Sequence, residues 1–158
     1  MGIISKNLIG FIFAIGNFNY AFTQNAGKII EQKTIVSKIL NKDVKYTIYL
    51  PPDYTSSDRT YPVVYLLHGY THDNTAWLQC GEINRYADKA IAEGTIPPMI
   101  IVMPNGDSSF YINSYDGKEK YEDFFIKEFM PSIEKIYRIK AEKNTEVFRG
   151  YQWVVMDH

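Results

Sequence analysis

Hydrophobic and polar positions alternate in one part of the chain, run unbroken in two others, and recur at helical spacing in two more. In Val44–Leu50 the alternation is clean: Val44, Tyr46, Ile48 and Leu50 face one way and Lys45, Thr47 and Tyr49 the other. That two-residue period predicts a strand. Thr34–Leu40 ahead of it is also strand-like, and Asn41-Lys42-Asp43 between them has turn composition, so a hairpin is expected. Pro51-Pro52 stops the second strand, since proline has no N–H to give to a ladder.

The first unbroken run, Val63–His68, is apolar and partly β-branched. It predicts a strand buried on both faces, as in the middle of a parallel sheet. It ends in His68-Gly69, so the chain turns at the carboxyl end of the strand. In an open α/β sheet, ligands bind at that end. Met99–Met103 is the second run, closed by Pro104-Asn105-Gly106. Between them Ile83, Ala87, Ala90 and Ile91 recur at helical spacing, with Gly94 at the position of a C-terminal cap. Strand, helix, strand predicts parallel neighbours joined by a right-handed crossover. Tyr121–Tyr137 predicts a further helix with Phe125, Phe129, Ile133 and Ile136 as its buried stripe, kinked or split by Pro131. The fold class is α/β: an N-terminal hairpin followed by parallel βαβ units.

Composition changes this picture in three places. Lys6 followed by the apolar run Leu8–Ile15 suits a secretory signal peptide, with Ala21-Phe22-Thr23 ahead of a cleavage point at Gln24. Residues 1–23 are therefore expected to be a signal, and the protein to be secreted or periplasmic. The formal charge of -1 gives no reason to expect a nucleic acid or an anionic membrane as partner. Cys80 is the single cysteine, so an internal disulfide is excluded, and no zinc-binding pattern is present. The 13 Tyr and 9 Phe suit ring-shaped ligands such as sugars or phenols, or serve as packing. A chain of 158 residues suffices for one domain, and no repeat or linker interrupts it.

Three segments together carry a resemblance: Tyr61–Gly69, Pro98–Gly106, and Tyr121–Phe124 through Ile133–Arg138. In order and spacing they resemble the esterase family of α/β-hydrolases that includes feruloyl esterases, acetyl xylan esterases and S-formylglutathione hydrolase. The likeness is strongest to the feruloyl and xylan-deacetylating branch and runs from about Thr34 to Phe148. It implies an α/β-hydrolase sheet and a serine acyl-enzyme mechanism without metal or cofactor. The implied substrates are small-molecule or polysaccharide esters, feruloyl or acetyl. It also implies an oxyanion hole at the backbone of Gly69 and Tyr70, where the N–H after His-Gly donates to the developing negative oxygen.

That mechanism needs a serine, a histidine base and an acid that orients it. The family carries the serine in Gly-x-Ser-x-Gly, expected directly after Glu146-Val147-Phe148. The chain instead reads Arg149-Gly150-Tyr151-Gln152-Trp153-Val154-Val155-Met156-Asp157-His158. Codons for these residues, read from the third base of Arg149, permit Gly-Leu-Ser-Met-Gly-Gly-Tyr-Gly-Ser. Within that reading two glycines are forced, and the serine position allows only Ser or Pro. The expectation is that 24–148 is the N-terminal part of an esterase domain and 149–158 an out-of-frame tail left by a one-base slip near Phe148. Such a truncated chain would lack the triad, be inactive, and be poorly stable with an apolar sheet edge exposed.

None of the remaining candidates makes a triad. His68 more readily orients a loop than acts as a base, His72 and Asp73 are sequence neighbours that cannot face each other, and His158 belongs to the tail. Ser108 and Ser109 lack a base, and Cys80 lacks an activating partner. A non-catalytic secreted carbohydrate-binding module using the Tyr- and Phe-rich loops is the alternative.

Overall fold

The alternating and unbroken runs join in one mixed four-stranded sheet of order β1-β2-β4-β3 in the computed structural model, which describes residues 26–140. The signal segment, Glu146–Phe148 and the 149–158 tail lie outside the described residues. Strands β1 (Lys28–Ser37) and β2 (Lys42–Leu50) form the antiparallel hairpin. β3 (Val63–Tyr65) runs parallel to β4 (Ile100–Pro104), and α2 (Ile83–Ala92) connects them after the short α1 (Ala76–Gln79). Gly94, at φ +69°, takes the left-handed conformation that ends α2, and Thr95 N–H closes back onto Ala90 O at 3.0 Å.

β4 is unbroken in hydrophobicity because it is covered on both faces. Ile100 and Val102 enter one core with Tyr46, Ile48, Phe124, Phe129 and Ile133, while Ile101 and Met103 enter a second with Tyr49 and Ala87. Helices therefore cover both faces of the sheet, the layering of an α/β protein. The alternation of β2 separates two buried faces rather than core from water, since Thr47 and Tyr49 are buried as fully as Tyr46 and Ile48.

Three expectations need correction. The run Val63–His68 was expected to be strand throughout, yet β3 spans only Val63–Tyr65; among the described residues it lies at the end of the strand order, with Val64 39% exposed, which fits the expected exposed edge. Among the described residues its far side is met at Tyr61, where Ile139 forms a parallel bridge through Tyr61 N–H to Arg138 O (2.9 Å) and Lys140 N–H to Tyr61 O (2.8 Å). The hairpin turn falls at Lys38–Asn41, not Asn41–Asp43, because Ser37 pairs with Lys42. The Glu128 carboxylate fixes it there, accepting from Ser37 Oγ (2.7 Å) and from the N–H groups of Lys38 and Ile39 (both 3.3 Å).

The third correction is the phase of the last helix. It runs as α3 (Tyr121–Phe124), a π-helical turn (Phe125–Phe129) and α4 (Met130–Ile136), with Met130 N–H bonded to Phe125 O. Pro131 has no N–H for the carbonyl four residues back, and the wider turn immediately before it absorbs the mismatch. The extra residue shifts the buried face to Tyr121, Phe124, Phe129, Ile133 and Tyr137, leaving Ile136 57% exposed.

Arg138 at the end of this helix holds the 53–60 loop. Its guanidinium donates to the carbonyls of Tyr54, Ser57 and Arg59 and lies 4.1 Å over the Tyr54 ring. Arg138→Ala is expected to cost about 1–3 kcal/mol, the range for charged hydrogen bonds. Urea denaturation checks this; an unchanged midpoint would show that the loop holds itself.

Candidate active site

The carboxyl ends of the parallel pair β3 and β4 deliver two loops to the same place. From β3 come His68, Gly69 and Tyr70, and from β4 come Asn105, Gly106 and the loop reaching Tyr111. His68 is 6% exposed and ties the two loops together. Gly106 N–H donates to its Nε2 at 2.9 Å, so the ring proton sits on Nδ1, which donates to Gly69 O at 2.8 Å. Asn105 Oδ1, 3.3 Å from Nε2, then faces another acceptor and adds no bond in this tautomer. With both ring nitrogens committed, His68 orients the loop and is not placed to act as a base.

Tyr111 packs against this lock. His68 N–H donates to its hydroxyl at 2.9 Å, and the phenol proton can reach His68 O at 3.3 Å. Burial raises the phenol pKa well above its ordinary value, so the hydroxyl keeps its proton. Gly106 is a close approach: a Cβ there would stand 2.5 Å from the Tyr111 ring, so any side chain would displace it. Tyr121 continues the stack edge-on to Tyr111 and donates to Asn105 O at 2.8 Å.

Gly69 and Tyr70 lie beyond the lock and are exposed. His72 N–H returns to Gly69 O at 3.2 Å, and the positive φ in this turn belongs to Thr71 (71°), not to Gly69. A Cβ on Gly69 would meet only His72 Nδ1, at 3.6 Å. Among the described residues, the backbone N–H groups of Gly69 and Tyr70 donate no hydrogen bond.

The other candidates do not converge. Asp73 accepts from Thr75 N (2.8 Å) and Thr75 Oγ1 (2.7 Å) rather than orienting His72. Ser109 Oγ donates to Gly106 O at 2.6 Å, and Cys80 is exposed. His158 lies outside the described residues. Among the described residues no cluster of three or more His, Cys, Asp or Glu could hold a metal. Sequence reasoning missed Asn74, a buried amide that donates to Thr47 Oγ1 at 2.8 Å and pins the loop to β2. It also passed over the inward role of Tyr111. The available signal was Asn105-Gly106 closing β4, because two parallel strands necessarily end side by side.

The Thr75 bonds hold the Asp73 carboxyl below its ordinary pKa. A depressed folded pKa gives stability that is present above the unfolded value and lost as pH falls through the folded one. Thr75→Val removes one donor and should raise the Asp73 pKa toward the ordinary value, as read by carboxyl NMR titration. An unmoved titration would assign the depression elsewhere.

Sheet order, helices on both faces and the exposed turn at the strand ends define the N-terminal half of an α/β-hydrolase sheet. The Esterase family model matches residues 37–150, and the chain belongs to that family. It is 33% identical over 128 residues to an endo-1,4-beta-xylanase/feruloyl esterase of Xylanibacter ruminicola, covering 77% of this chain and 18% of that protein. Among solved structures, a ferulic acid esterase matches at 36% identity and TM-score 0.67, covering 72% of this chain and 45% of that one. A ferulic acid esterase from Anaeromyces mucronatus, solved with ferulic acid, matches at 27% identity and TM-score 0.56, covering 72% and 44%. The chain spans under half the length of each of these relatives. Among the described residues no helix is long and apolar enough to cross a membrane.

Proposed function

We propose that this chain is the oxyanion-side half of a secreted or periplasmic serine carboxylic ester hydrolase acting on feruloyl or acetyl esters of plant polysaccharide. The observation that carries the reading is the exposed Gly69-Tyr70 turn beyond the carboxyl end of β3, whose N–H groups donate no hydrogen bond among the described residues. Such amides stabilise the negative oxygen that develops when a hydroxyl attacks an ester carbonyl. Tyr70 N–H is the proposed donor, and Gly69 leaves room for the acyl group to approach it. His68, locked by Gly106 N–H and braced by Tyr111, holds the donor peptide so that it need not reorganise during reaction. Esterase family membership and the feruloyl esterase relatives support the ester as substrate.

The attacking serine is proposed to be encoded out of frame across the codons for Arg149–His158, in the Gly-x-Ser-x-Gly the shifted reading permits. The acid and the histidine of the triad would follow it. Residues 1–23 are proposed as a cleaved signal. Hydrolysis of 4-nitrophenyl acetate and methyl ferulate, by this chain and by one with the frame restored at Phe148, tests the reading. Activity in neither, with saccharide binding in both, would favour a carbohydrate-binding module.

A further inference from the structure

We propose that the stacked Tyr70–Phe110 pair is a platform for a pyranose ring of the polysaccharide that carries the ester, an inference that rests on the esterase reading above. The two rings lie 5.1 Å apart and within 9° of parallel, bringing the loops after β3 and β4 together on the outer side of the turn. Among the described residues Tyr46, Tyr49, Tyr61, Tyr121, Phe124, Phe129 and Tyr137 are buried, whereas Tyr70 is 55% and Phe110 47% exposed; Tyr86 and Tyr115 are also exposed, but of these exposed rings only Tyr70 and Phe110 stack on each other. The backbone holds them there: Phe110 and Tyr111 both have positive φ, 53° and 60°. Through that bend Tyr111 turns inward to His68 while Phe110 turns outward to Tyr70. Non-glycine residues adopt such dihedrals at a cost, and they gather at sites of function.

The degree of exposure selects the ligand chemistry. A flat aromatic acyl group gains most from a slot that covers both of its faces. A pyranose has one C–H face that can stack on a ring, while its hydroxyl edge needs water or polar partners. A pair that is half exposed, flanked in sequence by the exposed polar residues Thr71, His72, Asp107 and Ser108, suits the sugar. Tyr70 also supplies the proposed oxyanion donor, so its ring stands beside one half of the ester. The open side is assigned to the alcohol half, the sugar whose hydroxyl leaves.

Binding can be read without catalysis, by native electrophoresis of the full chain through gels containing soluble xylan, with xylohexaose or ferulate as competitor. The wild-type chain should be retarded, and xylohexaose should relieve the retardation. Tyr70→Ala and Phe110→Asn should each weaken binding about tenfold, as expected when an aromatic anchor is removed. Asparagine is chosen because it tolerates the positive φ at position 110. No retardation of the wild type, retardation of both variants equal to that of the wild type, or relief by ferulate instead of xylohexaose would overturn the platform. Because the readout is binding, a restored-frame chain that binds xylan but cleaves no ester would defeat the esterase reading alone.

Discussion

Restoring the reading frame at Phe148 should raise hydrolysis of 4-nitrophenyl acetate on the order of 10⁶-fold over the chain as it stands, the scale of removing a serine nucleophile from a hydrolase. The size of the effect follows from the division of labour in the site. An oxyanion donor, the role proposed for Tyr70 N–H, acts on charge that appears only after a nucleophile has attacked. Among the described residues no serine bonds to a histidine: Ser37 Oγ and Ser114 Oγ donate to the carboxylates of Glu128 and Asp116, Ser109 Oγ bonds to Gly106 O, and both ring nitrogens of His68 are engaged. The present chain should therefore stay at the buffer rate. In the restored chain, alanine at the elbow serine should lower the rate on the order of 10⁶-fold. If the restored chain were as inert as the present one, the acyl-enzyme mechanism would be wrong for this protein.

Phe129→Ala should cost about 3–5 kcal/mol, the range for deleting a buried phenylalanine. Against total domain stabilities of roughly 5–15 kcal/mol, a loss of that size removes much of the folded population. Phe129 is fully buried and packs against Tyr46, Tyr65, Phe124 and Phe125, with ring centroids 5.6–6.2 Å away. Its position depends on the π-helical turn, so the matching control is Ile136→Ala. A strictly α-helical stripe would bury Ile136, but the π turn leaves it 57% exposed. Its replacement should change stability by no more than about 0.5 kcal/mol. Urea denaturation of both variants checks this, and equal losses would show that the helix keeps an α-helical phase.

β4, β2 and α2 were legible because each carries its burial in its own residues. Two covered faces demand an unbroken apolar run such as Ile100–Met103, and one turn of helix demands the spacing of Ile83, Ala87 and Ile91. The location of the candidate site was legible for a related reason. A strand that ends in His68-Gly69 must turn, and the carboxyl ends of parallel strands are where an α/β sheet opens. The resemblance of the Tyr61–Gly69 and Pro98–Gly106 segments to esterases carried the same residues to a chemistry.

What a local window could not hold was decided by partners far along the chain. The hairpin turn moved because Glu128 bonds Ser37 across 91 positions. The turn after His68 is braced because Gly106 and Tyr111 reach His68 across 38 and 43 positions. The helix stripe shifted because Pro131 lacks a hydrogen, and a widened turn before it cost less than a break. Hydrophobic period determined which residues form strands and helices, since burial acts on each side chain separately. Register, phase and the aim of the site came only from tertiary structure, because a hydrogen bond needs both of its groups, and folding alone brings distant groups within 3 Å.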